Sequence, residues 1–115
     1  MKSKLAIIAA LVSLAIGLPA KANDTRFSNR LTMVGVLTSA ACVVRNGEMT
    51  EEQARELIQE IVNANPDLNT AYSWATRSDK ATEAVQIMVP YMNSECNDLT
   101  ISEQEAQRLV KTYLE

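Results

Sequence analysis

The segment CVVRNGEMTEEQARELI, residues 42–58, contains the end of one helix and the start of the next. Asn46-Gly47 ends the first helix, because glycine adopts the left-handed conformation after a helix at little cost. Thr50, with a glutamine three residues later, matches the capping-box pattern that starts a helix. The segment therefore predicts a helix, a short turn and a second helix. Upstream, the apolar stripe expected to face the core is formed by Phe27, Leu31, Val34, Leu37 and Ala41.

A second segment, CNDLTISEQEAQRLV at residues 96–110, has the same organisation. It begins with a cysteine and crosses a short polar loop, after which Ser102 and a glutamate three residues later form another capping-box pattern. Residues 50–62 and 102–114 share three identities over 13 aligned positions. The chemistry of helix starts produces such a likeness by itself, which favours convergence. An internal duplication stays open as the alternative.

The rest of the chain is helical in its periodicity and has no convincing strand pattern. Asn65-Pro66 can start a short helix, and Pro90 should end or kink the helix that contains it. The sequence therefore predicts an all-α fold, a small bundle of four main helices in two helical hairpins with a short connecting helix between them. The expected ranges are 26–45 and 51–63 for the first hairpin, 66–76 for the connecting helix, and 79–114 for the second hairpin.

The N-terminus has the three parts of a secretory signal peptide. Two early lysines precede an uncharged apolar run of 14 residues at 5–18, and Ala20 and Ala22 offer small residues at a cleavage site. The run is shorter than the roughly 20 residues that span a bilayer. We expect residues 1–22 to be a signal peptide and residues 23–115 to form a single helical domain that is soluble and either periplasmic or secreted.

The two cysteines, Cys42 and Cys96, allow a single pairing. Exported chains meet an oxidising compartment in which two cysteines usually form a disulfide. The spacing is also unlike the close C-x-x-C pattern of redox-active pairs. We therefore predict one structural disulfide that cross-links the end of the first helix to the loop before the last helix.

The charge of the mature chain argues against two kinds of partner. Eight basic and 14 acidic side chains follow residue 22, which gives a net charge of about −6. Such a surface repels nucleic acid and anionic lipid. We expect no second apolar stretch to approach the length of a membrane span, and we predict no stable membrane insertion after signal cleavage.

Enzymatic and metal chemistry lack their usual residues. The chain has no histidine, and the mature part has two glycines and no glycine-rich phosphate loop, so we expect no catalysis, no cofactor and no metal. A calcium-hand register can be drawn from Cys42 or from Ser94, but ligands are missing from both loops. A degenerate calcium-hand-like domain that does not bind calcium is therefore one alternative.

Aromatic and methionine side chains in the second half of the chain suggest a binding groove, because such residues are favoured at binding surfaces. The competing explanation is that Trp74, the single tryptophan, anchors the core of a small domain. The candidate groove residues are Tyr72, Trp74, Met88, Tyr91 and Met92.

The first segment, CVVRNGEMTEEQARELI, resembles small exported helical proteins of cyanobacterial type, which have a signal peptide, a helix ending in cysteine and a second cysteine far downstream. This resemblance implies an exported helical domain with one cysteine pair and implies no particular function. In size and architecture the chain is also similar to periplasmic acid-stress chaperones. Because we expect neither catalysis nor a cofactor, we predict a protein-binding module of the cell envelope with an unidentified protein partner. The alternative is a periplasmic holdase-type chaperone.

Overall fold

The computed structural model describes residues 25–115, so the predicted signal peptide lies outside the described residues. Over this range the chain forms five α-helices, and its only β-pairing is an isolated bridge between Met92 and Leu99. The all-α prediction is therefore confirmed. The helices are α1 (Thr25–Arg45), α2 (Glu51–Ala64), α3 (Asn69–Arg77), α4 (Asp79–Met88) and α5 (Glu103–Leu114), with 3-10 turns at Pro66–Leu68 and Val89–Tyr91.

The turn between α1 and α2 follows the sequence chemistry closely. Gly47 has a φ of +75°, the left-handed conformation in which a side chain would be strained. Thr50 is the N-cap of α2, where its hydroxyl accepts a hydrogen bond from the Gln53 amide at 3.1 Å. The Gln53 side chain in turn accepts from the Thr50 amide at 3.1 Å. Two N–H groups at the helix start are thereby satisfied.

The last helix also begins with a side-chain cap, but only one of the two capping-box hydrogen bonds is formed. Ser102 is the N-cap of α5, and its hydroxyl accepts a hydrogen bond from the Glu105 amide at 3.2 Å. The reciprocal bond, in which the Glu105 carboxylate would accept from the Ser102 amide, is not formed at this cap within the described structure. Glu103 and Glu105 still place negative charge at the positive end of the helix dipole.

The central helix of the bundle is α1, which packs against each of the other four helices. Both predicted hairpins are present, because α2 packs on α1 and α5 packs on α4. The expected single stripe on α1 is incomplete, however. Phe27, Leu37 and Ala41 are only partly buried, whereas residues on another side of the helix are fully buried, among them Met33, Val36, Ala40 and Val43.

The reason is that α1 lies between two apolar clusters. The first cluster joins one face of α1 to α2, the Pro66–Leu68 turn and the disulfide, and the second joins the other face to α4 and α5. The buried members of the second cluster are Leu31, Val34, Ala84, Met88, Ala106, Val110 and Leu114. A helix that contacts two clusters is apolar on more than one side.

This apolar character has a further consequence for α1. By length and composition alone, Thr25–Arg45 could cross a membrane, so the expectation that no second apolar stretch approaches that length is wrong. Half of its most apolar window is buried inside the fold, as expected for the core helix of a globular bundle. The absence of stable membrane insertion stays a prediction.

The predicted disulfide between Cys42 and Cys96 is present, with Cα atoms 5.7 Å apart. Both cysteines are buried. Asn46, which follows α1, donates from its side-chain amide to the Ser94 carbonyl at 3.0 Å and to the Cys96 sulfur at 3.3 Å. The disulfide and this amide together attach the loop before α5 to the C-terminal end of α1.

Candidate functional site

A partly enclosed pocket of about 70 Å³ lies where α1, α4, α5 and the loop before α5 meet. Its floor and walls are mostly aliphatic, and it lies between the two apolar clusters, since Met88 belongs to the second and Met92 to the first. We call it the α1–α5 pocket. Its lining residues are Leu31, Thr32, Val34, Gly35, Thr38, Met88, Met92, Asp98, Leu99, Ile101, Glu103, Ala106 and Gln107.

Gly35 keeps one wall of the α1–α5 pocket open. It is the eleventh of the 21 residues of α1, an interior position at which glycine is about 1 kcal/mol less favourable than alanine. A Cβ added at this position would meet nothing within 4 Å. Packing therefore does not exclude a side chain here, and the missing side chain leaves space in the pocket.

The charged residues that line the α1–α5 pocket are both acidic. Asp98 lies in the loop, where its carboxylate accepts a hydrogen bond from the Leu99 amide at 2.8 Å, and Glu103 is the first residue of α5. Both side chains are exposed. Neither forms an ion pair with a lysine or arginine of the described chain. The mouth of the pocket is therefore an apolar opening beside two solvated carboxylates.

The loop that carries Asp98 is held by a network of short contacts. The Asn93 amide donates to the Asp98 carbonyl at 2.9 Å, and the Thr100 amide donates to the Tyr91 carbonyl at 2.7 Å. The Asn93 and Asn97 side chains also bond each other at 2.7 Å. With the disulfide at Cys96, these bonds fix the loop wall of the pocket relative to the helices.

The structure does not gather the five predicted groove residues on one surface. Met88 and Met92 line the α1–α5 pocket, and both are buried. Tyr72 packs at the edge of the first cluster and Trp74 at the edge of the second. Tyr91 is partly buried in the 3-10 turn and does not line the pocket. The sequence therefore identified two residues of the pocket and missed its acidic rim and its glycine.

Trp74 packs against the edge of the second cluster and is not fully buried in the core. Its ring is partly exposed, and the Arg30 guanidinium lies over it at 4.5 Å from the ring centroid. The same guanidinium donates to the Leu114 carbonyl at 2.9 Å, at the C-terminal end of α5. Partial burial, and then the nearby charge of Arg26, lower the pKa of Arg30. Arg30 thus joins α1, α3 and α5 at one end of the bundle.

A second, wider depression of about 420 Å³ lies between α1 and α2. We call it the α1–α2 groove. Its base contains small residues, Ala40, Ala41 and Ala54, and its rim carries Arg45 and Arg55 together with one glutamate. Being shallow and open, it offers a surface rather than an enclosed site.

The loops that suggested a calcium hand do not form one. Cys42 and Val44, the first and third positions of the first register, lie within α1. In the second loop, the Asn93 and Asn97 side chains are hydrogen-bonded to each other. Among residues 25–115 there is no group of three or more His, Cys, Asp or Glu side chains that could hold a metal ion. The degenerate calcium-hand-like domain, which by its definition binds no calcium, stays a prediction.

Comparisons with known proteins supply no family. No protein-family model matches the chain, and no curated protein or solved structure matches it. The function is therefore argued from the site itself.

Proposed function

We propose that the chain is an exported, soluble protein-binding module of the cell envelope, in the periplasm or outside the cell. The observation that carries the proposal is the α1–α5 pocket, an apolar opening on a disulfide-linked frame, beside two carboxylates that form no ion pair within residues 25–115. Pockets with a few placed polar groups on rigid elements are typical of recognition sites. No residue in it forms a nucleophile–base pair, so binding is the chemistry it supports best.

Two further features support the proposed location. The sequence of residues 1–22 has the organisation of a signal peptide. The Cys42–Cys96 disulfide is of a kind that is typical of proteins in an oxidising compartment. We therefore look for the partner among envelope proteins rather than in the cytosol, where thiols are kept reduced.

Affinity capture tests the proposal. The full chain, tagged after Glu115 and produced in cells of its host, is isolated from envelope extract under non-reducing conditions. We expect one or a few proteins to be retained at constant stoichiometry. Capture from an extract treated with reductant is the control, because loosening the loop that carries Asp98 should reduce retention. Recovery of the chain alone at several salt concentrations would contradict the proposal.

A second candidate function is a holdase-type chaperone, and the α1–α2 groove is the observation that favours it. Protonation of the 14 carboxylates would change the net charge of the mature chain from about −6 to about +8, and repulsion of this size can loosen a small domain. A dye-binding titration from neutral to acidic pH tests this function. Retained helix with new apolar exposure and suppressed client aggregation supports it, and a protein that stays inert rejects it.

A further inference from the structure

The α1–α5 pocket has the size of a small aliphatic group. Its volume is about 70 Å³, roughly half that of an engineered cavity of about 150 Å³ that binds benzene. There is room for about three or four carbon atoms and too little for an aromatic ring. Because the pocket is lined mainly by aliphatic residues and methionine, an aliphatic side chain is its natural occupant.

The charges at the opening of the pocket determine which kind of residue can lie next to the bound side chain. Asp98 and Glu103 are the charged residues of the lining, and no cation of the described chain pairs with either. Residues 23–115 are also acidic overall, with a net charge of about −6. A cation beside the bound side chain is therefore attracted both by the rim and by the general field, whereas an acidic neighbour is repelled.

We propose that the α1–α5 pocket binds an aliphatic side chain that a partner protein presents next to a lysine or arginine. The aliphatic group enters beside Gly35, and the cation lies against Asp98 and Glu103. This inference rests on the proposed protein-binding function and adds the site and the chemistry of the partner segment. The open wall at Gly35 is what admits the side chain, since a Cβ there meets nothing within 4 Å.

The first test uses short synthetic peptides as probes. A capped peptide with the sequence Gly-Lys-Leu-Lys-Gly is titrated into the isotope-labelled protein with its disulfide intact. We expect saturable changes in the backbone amide signals of Gly35, Leu99 and Gln107. Replacing the peptide leucine by alanine should weaken binding about tenfold or more, because most of the buried apolar surface is lost. Replacing both peptide lysines by glutamate should abolish binding.

Matched variants of the protein test the roles of the open wall at Gly35 and of the two carboxylates. Gly35→Leu fills the open wall and should weaken binding of the peptide by at least about tenfold. Gly35→Ala is its control, because it adds a single carbon, should raise the unfolding midpoint and should keep most of the affinity. Asp98→Asn and Glu103→Gln should each weaken binding by up to about fivefold at low salt. Glu60→Gln, on α2, should change nothing.

The outcomes separate this inference from the proposed function. If the leucine and alanine peptides bind equally, or neither changes those amide signals, the inference is wrong, and this result does not depend on whether Gly35→Leu folds. If Gly35→Leu still captures the same envelope protein as the unchanged chain, the inference is wrong while the proposed function stands. If the peptide binds as expected but no envelope protein is captured, the pocket chemistry holds and the proposed function fails.

Discussion

The disulfide between Cys42 and Cys96 should supply a large share of the stability of the domain. It joins residues separated by 54 positions, for which the chain-entropy relation gives about 4 kcal/mol. Domains of this size are stable by roughly 5–15 kcal/mol. Reduction should therefore remove about a quarter or more of the free energy of unfolding and lower the melting midpoint by roughly 15–30 °C.

Two cysteine-free variants refine this prediction. Cys96 has a φ of +60°, the left-handed region that is unfavourable by about 1–2 kcal/mol for a residue other than glycine. Without the disulfide, glycine suits position 96 better than alanine does. We therefore expect Cys42→Ala/Cys96→Gly to be more stable than Cys42→Ala/Cys96→Ala by about 1 kcal/mol. Both variants should be considerably less stable than the protein with its disulfide intact.

The assay is urea unfolding followed by circular dichroism, with and without reductant. The midpoint of the oxidised protein should fall on reduction, and those of the two cysteine-free variants should not respond. A loss of less than about 1 kcal/mol on reduction would refute the reasoning, because the loop before α5 would then be held in place without its cross-link.

The same unfolding assay checks three further expectations. Arg30→Met should lower the free energy of unfolding by about 1–3 kcal/mol, because the contacts with Trp74 and with the end of α5 disappear. Arg30→Lys should recover part of this loss. A loss no larger than that of the exposed Arg26→Met would contradict the role given to Arg30. Ser39→Ala should raise the free energy of unfolding by about 1 kcal/mol, since the Ser39 hydroxyl is buried with no hydrogen-bond partner among residues 25–115. Thr38→Val removes a hydroxyl that donates to the Val34 carbonyl at 2.6 Å and should bring no gain. Equal gains from the two variants would count against this explanation. Thr50→Ala and Ser102→Ala should each lower the free energy of unfolding by about 1 kcal/mol, with the larger loss at Thr50, where both capping-box bonds form. If Thr50→Ala were as stable as the unchanged protein, the stabilising role of this N-cap would be contradicted.

The parts of the fold that follow from local chemistry could be read from the sequence. Gly47 and Thr50 determine where α1 ends and α2 begins through conformations and hydrogen bonds within a few residues of themselves. The pairing of Cys42 with Cys96 follows from there being two cysteines in a chain whose N-terminus has the sequence pattern of a signal peptide. Pro90 likewise ends α4 through its own missing N–H, which leaves a 3-10 turn after Met88.

The position of α1 and the pocket depend on contacts between distant segments. A single stripe was expected on α1, yet Val36 and Val34 face different clusters because the helix is surrounded. The nearly continuous apolar composition of α1 was the available signal for a central helix. Gly35 in the interior of that helix was a signal too, because such a glycine needs a packing or functional reason. The placement of Asp98 and Glu103 beside it had no local signal.

The most direct test of protein binding through the α1–α5 pocket is site-specific photo-crosslinking in the host cell. A photoreactive amino acid replaces Gln107, which lines the pocket, and in a control chain it replaces Glu60, which is exposed on α2. We expect a discrete adduct with an envelope protein from position 107, no such adduct from position 60, and loss of the adduct when Gly35→Leu is combined with the probe. The same adducts from both positions, or none from position 107, would contradict binding at this pocket.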